Sequence, residues 1–98
     1  MNNTDAARVF KAFSDERRLE ILEQLRMGEK CASELMGEVM MGQSTLSHHM
    51  KILCESGVVT TRREGTFVYY SISEEGSRQV KEILDALTKI KGYRTDRR

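Results

Sequence analysis

The feature that most constrains the fold of this 98-residue chain is a change in the spacing of its apolar residues. Before residue 58, apolar residues recur at the spacing of amphipathic helices. Two runs rich in β-branched and aromatic residues then follow, at residues 58–63 and 66–72. Glu64 and Gly65 lie between these runs, and glycine supplies the positive φ that a tight hairpin requires. We therefore predict a β-hairpin placed directly after a series of helices.

The helices on either side of this hairpin are predicted from capping residues, glycines and apolar stripes. The predicted N-caps are Thr4, Ser14 and Ser73. The predicted helices cover residues 4–13, 15–27, 32–40, 43–56 and 74–91. The resulting order, α-α-α-α-β-β-α, is mainly α with a small β-hairpin and is typical of a winged helix-turn-helix. Because the chain has no proline and no linker-like segment, residues 1–98 are expected to form a single domain with flexible ends at 1–3 and 93–98.

The composition excludes several classes of protein. Two cysteines cannot support a disulfide-rich secreted scaffold, and the first residues lack the layout of a signal peptide. The longest apolar run, residues 67–70, is too short to span a membrane. The sequence shows no Ser/His/Asp order, phosphate loop or paired-cysteine motif, so we expect a cytoplasmic protein that is not an enzyme.

Little apolar side chain is available to build a core. Apolar residues make up 39% of the chain and aromatic residues 6%, and a domain of this size buries only somewhat over ~60% of its unfolded surface when it folds alone. The last predicted helix nevertheless carries the clearest apolar stripe, which consists of Val80, Ile83, Leu84, Leu87 and Ile90. We therefore expect this chain to bury apolar surface against a partner.

The fourth predicted helix carries short polar side chains near its N-terminus, as a helix that reads the major groove of DNA requires. These residues are Gln43, Ser44, Thr45, Ser47, His48 and Lys51. Arg62 and Arg63 precede the predicted turn of the hairpin, where they could contact phosphates or a minor groove. Two plainer interpretations stay open: a solvated helix face, and a charged edge strand that prevents aggregation.

Several stretches together resemble the ArsR/SmtB family of regulators, over about residues 6–90. They are residues 10–15 (FKAFSD), 18–22 (RLEIL), 33–35 (SEL), 43–53 (QSTLSHHMKIL), 55–59 (ESGVV) and 63–72 (REGTFVYYSI). The resemblance implies a homodimeric winged-helix repressor that binds a palindromic operator in double-stranded DNA. It also implies release of the operator when an inducer binds, often a metal or metalloid ion.

The resemblance also implies roles for individual residues. The base-reading face falls on Gln43, Ser44, Ser47 and His48, with Thr45 and Lys51 at its edge and Arg62 and Arg63 on the DNA backbone. Because the first and last helices build the dimer in this family, the expected interface consists of Val9, Phe10, Phe13, Val80, Ile83, Leu84 and Leu87. The sequence departs from the family at the turn, where Met40 replaces a common Gly or Asn and Gly42 replaces a capping Ser or Thr.

The cysteines are the candidate inducer site. Many family members carry a Cys-x-Cys pair on the third helix, and here only Cys31 is present because residue 33 is serine. Arsenic sensors of the family also carry a cysteine at the position of Cys54, which makes As(III) or Sb(III) a candidate inducer. Trivalent arsenic prefers three thiolates, so a site on Cys31 and Cys54 would need completion across the dimer or by a small thiol.

Other interpretations of the chain remain open. Cys31 and Cys54 could instead be structural or redox-active, in a regulator without a metal site. The last helix has no histidine, which argues against the family's zinc-type site. The rival class of function is a winged helix that binds another protein rather than DNA.

Overall fold

The computed structural model describes residues 2–92, and in this range the chain forms five helices and a three-stranded antiparallel sheet. In chain order the elements are α1 (Asn3–Ala12), α2 (Glu16–Leu25), β1 (Lys30–Cys31), α3 (Ala32–Val39), α4 (Gln43–Glu55), β2 (Val59–Glu64), β3 (Phe67–Ile72) and α5 (Glu74–Thr88). This order confirms the predicted winged helix-turn-helix. The expected flexibility of Met1 and of residues 93–98 concerns positions outside the described residues.

The sheet contains one strand more than the sequence predicted. Strands β2 and β3 form the predicted hairpin, with Val59 opposite Ile72 at its base and a two-residue turn at Gly65–Thr66. The φ of Gly65 is 64°, as expected for a tight turn. The unpredicted strand β1 pairs with the other edge of β3 and gives the order β1-β3-β2. Two residues are too few to show the alternation that reveals a strand in a sequence.

Two predicted helix starts were wrong. The side chain of Asn2, not that of Thr4, caps α1 by accepting a hydrogen bond from the Asp5 N–H. Asn2 is therefore the N-cap of α1, and Asn3 is its first residue.

The second helix starts one residue later than predicted. The carboxylate of Asp15 accepts the Arg17 N–H at 2.7 Å and the Arg18 N–H at 3.4 Å. These backbone hydrogen bonds lower the pKa of Asp15. The Ser14 hydroxyl instead donates to the Lys11 carbonyl at the end of α1. A carboxylate near the positive end of a helix accounts for the choice of Asp15 over Ser14.

The core lies between α2, α3, α4 and the inner face of the sheet. Its largest fully buried side chains are Ile21, Leu35, Met50 and Leu53. Helix α5 is different: it begins at the predicted cap Ser73, ends at Thr88 rather than at residue 91, and among its residues only Gly76 is buried. Most of the apolar stripe of α5 therefore remains at the surface of the single chain. Across residues 2–92, no helix is long and apolar enough to cross a membrane.

The close approach of α5 to the end of α4 depends on two glycines. A Cβ built on Gly76 would lie 1.8 Å from the carbonyl oxygen of Gly57. Gly57 itself has a φ of 86° and follows the last turn of α4. The N-terminus of α5 is thus in direct backbone contact with the segment that leaves α4.

Candidate nucleic-acid interface

The turn between α3 and α4 sets the position of the fourth helix. Met40 ends α3 in the left-handed region, with a φ of 51°, which costs a residue with a Cβ roughly 1–2 kcal/mol. Its side chain is 86% exposed. The guanidinium of Arg17 on α2 donates hydrogen bonds to the carbonyls of Val39 and Met40. Arg17 therefore supports this turn in the place where the family commonly has glycine or asparagine.

Helix α4 separates its residues into a buried and an exposed face. Leu46, His49, Met50 and Leu53 are buried, whereas every residue of the predicted DNA-binding face on this helix is exposed. That exposed set is Gln43, Ser44, Thr45, Ser47, His48 and Lys51. The structure thus brings the six predicted residues together on one solvent-facing side of the helix.

The two arginines of the hairpin lie on opposite faces of it. Successive residues of a strand point to opposite faces. Arg63 shares a groove of about 460 Å³ with residues of α4, and the polar residues that line it are Gln43, Ser47, Thr61, Arg63 and Thr66. The wing, which is the hairpin β2–β3, therefore presents Arg63 beside the N-terminal half of α4.

Arg62 is engaged within the chain. Its guanidinium donates two hydrogen bonds of 2.8 Å to Glu29, contacts Glu64 at 3.3 Å, and lies 4.4 Å from the ring centroid of Tyr69. The hydrogen bonds with Glu29 raise the pKa of Arg62 and lower that of Glu29. The charge of Arg62 is thus matched by carboxylates, and its position is fixed against the loop that precedes β1. The sequence prediction treated Arg62 and Arg63 as equivalent, although strand alternation already indicated opposite faces.

A buried polar contact behind α4 was not predicted. Arg18 and His49 are only 6% and 8% exposed, and the Arg18 Nη1 lies 3.0 Å from the His49 Nδ1. The spacing of His49 from Leu46 and Leu53 could have indicated a buried histidine. Arg18 gave no such signal, because an arginine in the first turn of a polar helix is normally exposed.

The two cysteines do not form one site within a single chain. The register pairs Cys31 with Tyr69, so the two side chains share a face of the sheet, and the Cys31 Sγ lies 3.1 Å from the Ser33 Oγ. Cys54 packs with Tyr70 against the core, on the opposite face. Burial, together with Glu55, raises the pKa of the Cys54 thiol. Within residues 2–92, no group of three or more Cys, His, Asp and Glu side chains is arranged to hold a metal ion.

The residues expected at a dimer interface differ in their burial. Val9 is already buried in the single chain, whereas Leu84 and Leu87 are 52% and 56% exposed. Phe10, Phe13, Val80 and Ile83 are half-buried. An open groove of about 410 Å³ runs between α1 and α5, and Ala6, Ile83 and Leu87 form part of its lining. The single chain thus leaves several apolar side chains of α1 and α5 exposed or half-buried.

Known proteins that are similar to this chain are transcriptional regulators. Residues 15–61 match the family described as "Bacterial regulatory protein, arsR family". The chain is 39% identical to an HTH-type transcriptional regulator of Methanocaldococcus jannaschii, over 84% of this chain and 93% of that protein. It is 38% identical to the arsenical resistance operon repressor of Staphylococcus xylosus, over 89% of this chain and 84% of that protein.

A solved structure shares the fold at lower sequence identity. It is the homodimeric winged helix-turn-helix DNA-binding domain of a possible ArsR-family transcriptional regulator from Mycobacterium bovis. The two chains are 31% identical, with a TM-score of 0.71, and the match covers 93% of this chain and 89% of the other.

Proposed function

The chain belongs to the ArsR family of bacterial regulatory proteins, and we propose that it represses transcription as a homodimer bound to a palindromic operator. Members of this family are DNA-binding transcriptional regulators. The observation that carries the proposal for this chain is the exposed polar face of α4 beside Arg63 of the wing. Because an operator-binding protein acts where the chromosome lies, we infer a cytoplasmic site of action.

We assign base reading to the N-terminal half of α4 and phosphate contacts to its edge. Gln43, Ser44, Ser47 and His48 carry donors and acceptors that can pair with base edges in the major groove. We assign phosphate contacts on either side of this face to Thr45, Lys51 and Arg63, whose side chains are exposed. Arg62 supports this arrangement indirectly, since its guanidinium holds the wing against Glu29.

The dimer explains the apolar surface that the single chain leaves uncovered. We propose that α1 and α5 pack against the same helices of a second copy, through the half-buried and exposed apolar residues of both. A twofold dimer then presents two α4 helices to successive turns of the major groove, about 34–36 Å apart. The residues involved are Phe10, Phe13, Val80, Ile83, Leu84 and Leu87, with Val9 supporting them from within the chain.

The test is binding to DNA, with the sequence found by selection. The purified chain is incubated with a random duplex pool and with the DNA upstream of its own gene, and bound duplexes are recovered and measured by gel shift. We expect a palindromic sequence, and we expect His48→Ala and Ser47→Ala to relax the base preference within each half-site. Unchanged sequence preference in both variants would contradict the assignment of α4. A chain that binds no duplex at any salt concentration but forms a stable complex with another protein would favour an interaction module.

We further propose a trivalent metalloid, As(III) or Sb(III), as the inducer, acting on the thiols of Cys31 and Cys54. The support is the similarity to arsenical resistance operon repressors and the presence of these two thiols. Because Cys31 of β1 and Cys54 of α4 lie on opposite sides of the sheet, further ligands must come from the second protomer or from a small-molecule thiol. Arsenite titration should release the operator from the natural chain and not from Cys31→Ser or Cys54→Ser. Release that is unaffected by both substitutions, or no release at all, would contradict this inducer and favour a regulator without a metalloid site.

A further inference from the structure

The contact between Arg18 and His49 links the buried side of α4 to two other helices. The guanidinium of Arg18 donates from Nε to the Ala12 carbonyl and from Nη2 to the Lys11 carbonyl, both at 3.1 Å. Its Nη1 lies 3.0 Å from the His49 Nδ1. One buried side chain of α2 thus joins the C-terminus of α1 to α4.

The chemistry of this contact determines the protonation of His49. Arginine carries five N–H donors, has no acceptor and stays charged in proteins. The His49 Nδ1 must therefore accept the hydrogen bond through its lone pair, and the ring must be neutral with its proton on Nε2. Protonation of Nδ1 would remove the only acceptor in this contact and place two cations side by side in a buried location.

This contact can fix the rotation of α4 in a way that apolar packing cannot. Burial of Leu46, Met50 and Leu53 is favourable but not directional, whereas the hydrogen bond to His49 has a defined geometry. The residues assigned to base reading precede His49 directly on the same helix. A small rotation about the helix axis would therefore displace Ser47 and His48 from the base edges.

We propose that Arg18 and His49 are positioning residues that hold α4 in its DNA-reading orientation, and that protonation of His49 releases operator DNA. The proposal rests on the DNA-binding function proposed above. It adds a proton as a second signal, which acts on the buried side of α4 and is independent of the cysteines.

The surroundings of His49 favour the neutral form of its ring, as the proposal requires. The titratable and charged groups that act on it are Asp15 at the N-cap of α2, Arg17 and Arg18 of α2, and His48 of α4 itself. Burial lowers the pKa of His49 below its ordinary value, Asp15 opposes this effect, and Arg18, His48 and Arg17 add to the lowering. The neutral ring is thus favoured near neutral pH, and the contact is lost on acidification.

The experiment compares the natural chain with His49→Asn across a range of pH. The asparagine Oδ1 offers an acceptor close to the position of the Nδ1 and cannot be protonated in this range. The probe is a fluorescein-labelled duplex selected from a random pool with the natural chain at about pH 8. Because the two proteins differ only at residue 49, the ratio of their affinities at each pH reports the effect of His49.

We expect the natural chain and His49→Asn to bind the duplex with equal affinity at about pH 8. At about pH 5 the natural chain should bind about tenfold more weakly than His49→Asn. His49→Leu fills a similar volume without an acceptor and should bind about tenfold more weakly at every pH. Equal pH profiles for the natural chain and His49→Asn would overturn the proposal. So would loss of the helical circular dichroism of the natural chain at the pH where binding is lost, because the chain would then simply unfold.

A second measurement keeps this inference separate from the proposed function. Nitrogen chemical shifts of the His49 ring, measured by NMR without DNA, should show an unprotonated Nδ1 at about pH 8 that becomes protonated on acidification. A protonated Nδ1 at about pH 8 would overturn the Arg18–His49 contact whatever the DNA result. If the natural chain binds no duplex at any pH, the proposed function fails, and the release of DNA by protonation fails with it.

Discussion

Replacing Gly76 with alanine should destabilise this protein even though alanine is the better helix former. A glycine in the interior of a helix costs up to ~1 kcal/mol relative to alanine. At Gly76, however, the new Cβ would lie 1.8 Å from the Gly57 carbonyl oxygen, whereas real Cβ atoms essentially never lie closer than 3.0 Å to such an atom. The two backbones must therefore separate by about 1.2 Å, the difference between these distances.

The size of the effect follows from what must move. The obstructing atoms are backbone atoms of Gly57 and Val58, so no side chain can rotate out of the way. The Ser73 N–H, which donates to the Val58 carbonyl at 2.9 Å, lies in the same contact. Overpacking of this kind costs up to ~3 kcal/mol, and subtracting the helix gain of ~1 kcal/mol leaves a loss of about 2 kcal/mol. For a domain of this size that loss lowers Tm by roughly 8–16 °C.

Gly37→Ala provides a matched control. Gly37 also lies within a helix, α3, but nothing lies within 4 Å of a Cβ built there. The same chemical change should therefore stabilise the chain by up to ~1 kcal/mol. Thermal unfolding is followed by circular dichroism at equal protomer concentration, because the proposed dimerisation would make Tm depend on concentration. If Gly76→Ala raises Tm as Gly37→Ala does, the close approach of α5 to Gly57 is refuted.

Four further predictions concern the turn, the wing, the helix cap and the dimer surface. Met40→Asn should stabilise the chain by about 1 kcal/mol in chemical denaturation, because asparagine tolerates the left-handed region and the Met40 side chain makes few contacts. Arg63→Ala should reduce the slope of log binding constant against log salt concentration by about one phosphate contact, whereas Arg62→Ala should leave this slope unchanged. Equal slopes for the two variants would contradict the wing geometry. The pKa of Asp15 is lowered in the folded chain, so the ionised carboxylate stabilises the fold. This stabilisation is complete above about pH 4 and is lost as the pH falls through the folded pKa of Asp15. Asp15→Ala should therefore flatten the dependence of Tm on pH below about pH 4. Leu87→Asp should convert the dimer to monomers in light scattering and abolish cooperative binding to both half-sites, and a dimer that survives this change would place the interface elsewhere.

Local patterns in the sequence were sufficient to predict the number and order of the helices, the hairpin and the exposed face of α4, but not the caps of α1 and α2 or the end of α5. Residues 43–51 alternate between core and solvent with a helical period, so burying Leu46 and Met50 leaves Ser47 and His48 exposed. The turn at Gly65 was recognisable because only a few residues tolerate a positive φ.

Features that depend on distant parts of the chain were not predictable in this way. The ion pair of Arg62 with Glu29 joins residues 33 positions apart, and β1 is defined only by its pairing with β3. The buried Arg18 depends on three carbonyl and imidazole acceptors that the fold brings together from α1 and α4. Each of these contacts is specified by tertiary structure, and no spacing in the sequence encodes it.

The short strand β1 has a consequence for the proposed operator complex. Glu29 holds Arg62 of the wing, Lys30 and Cys31 pair with β3, and α3 starts at the next residue. The wing is therefore tied by its outer face and by its edge to the segment that begins the helix-turn-helix. In the proposed complex with DNA, the wing and α4 would therefore move together, and a change in half-site spacing would require rotation between protomers rather than bending of the wing.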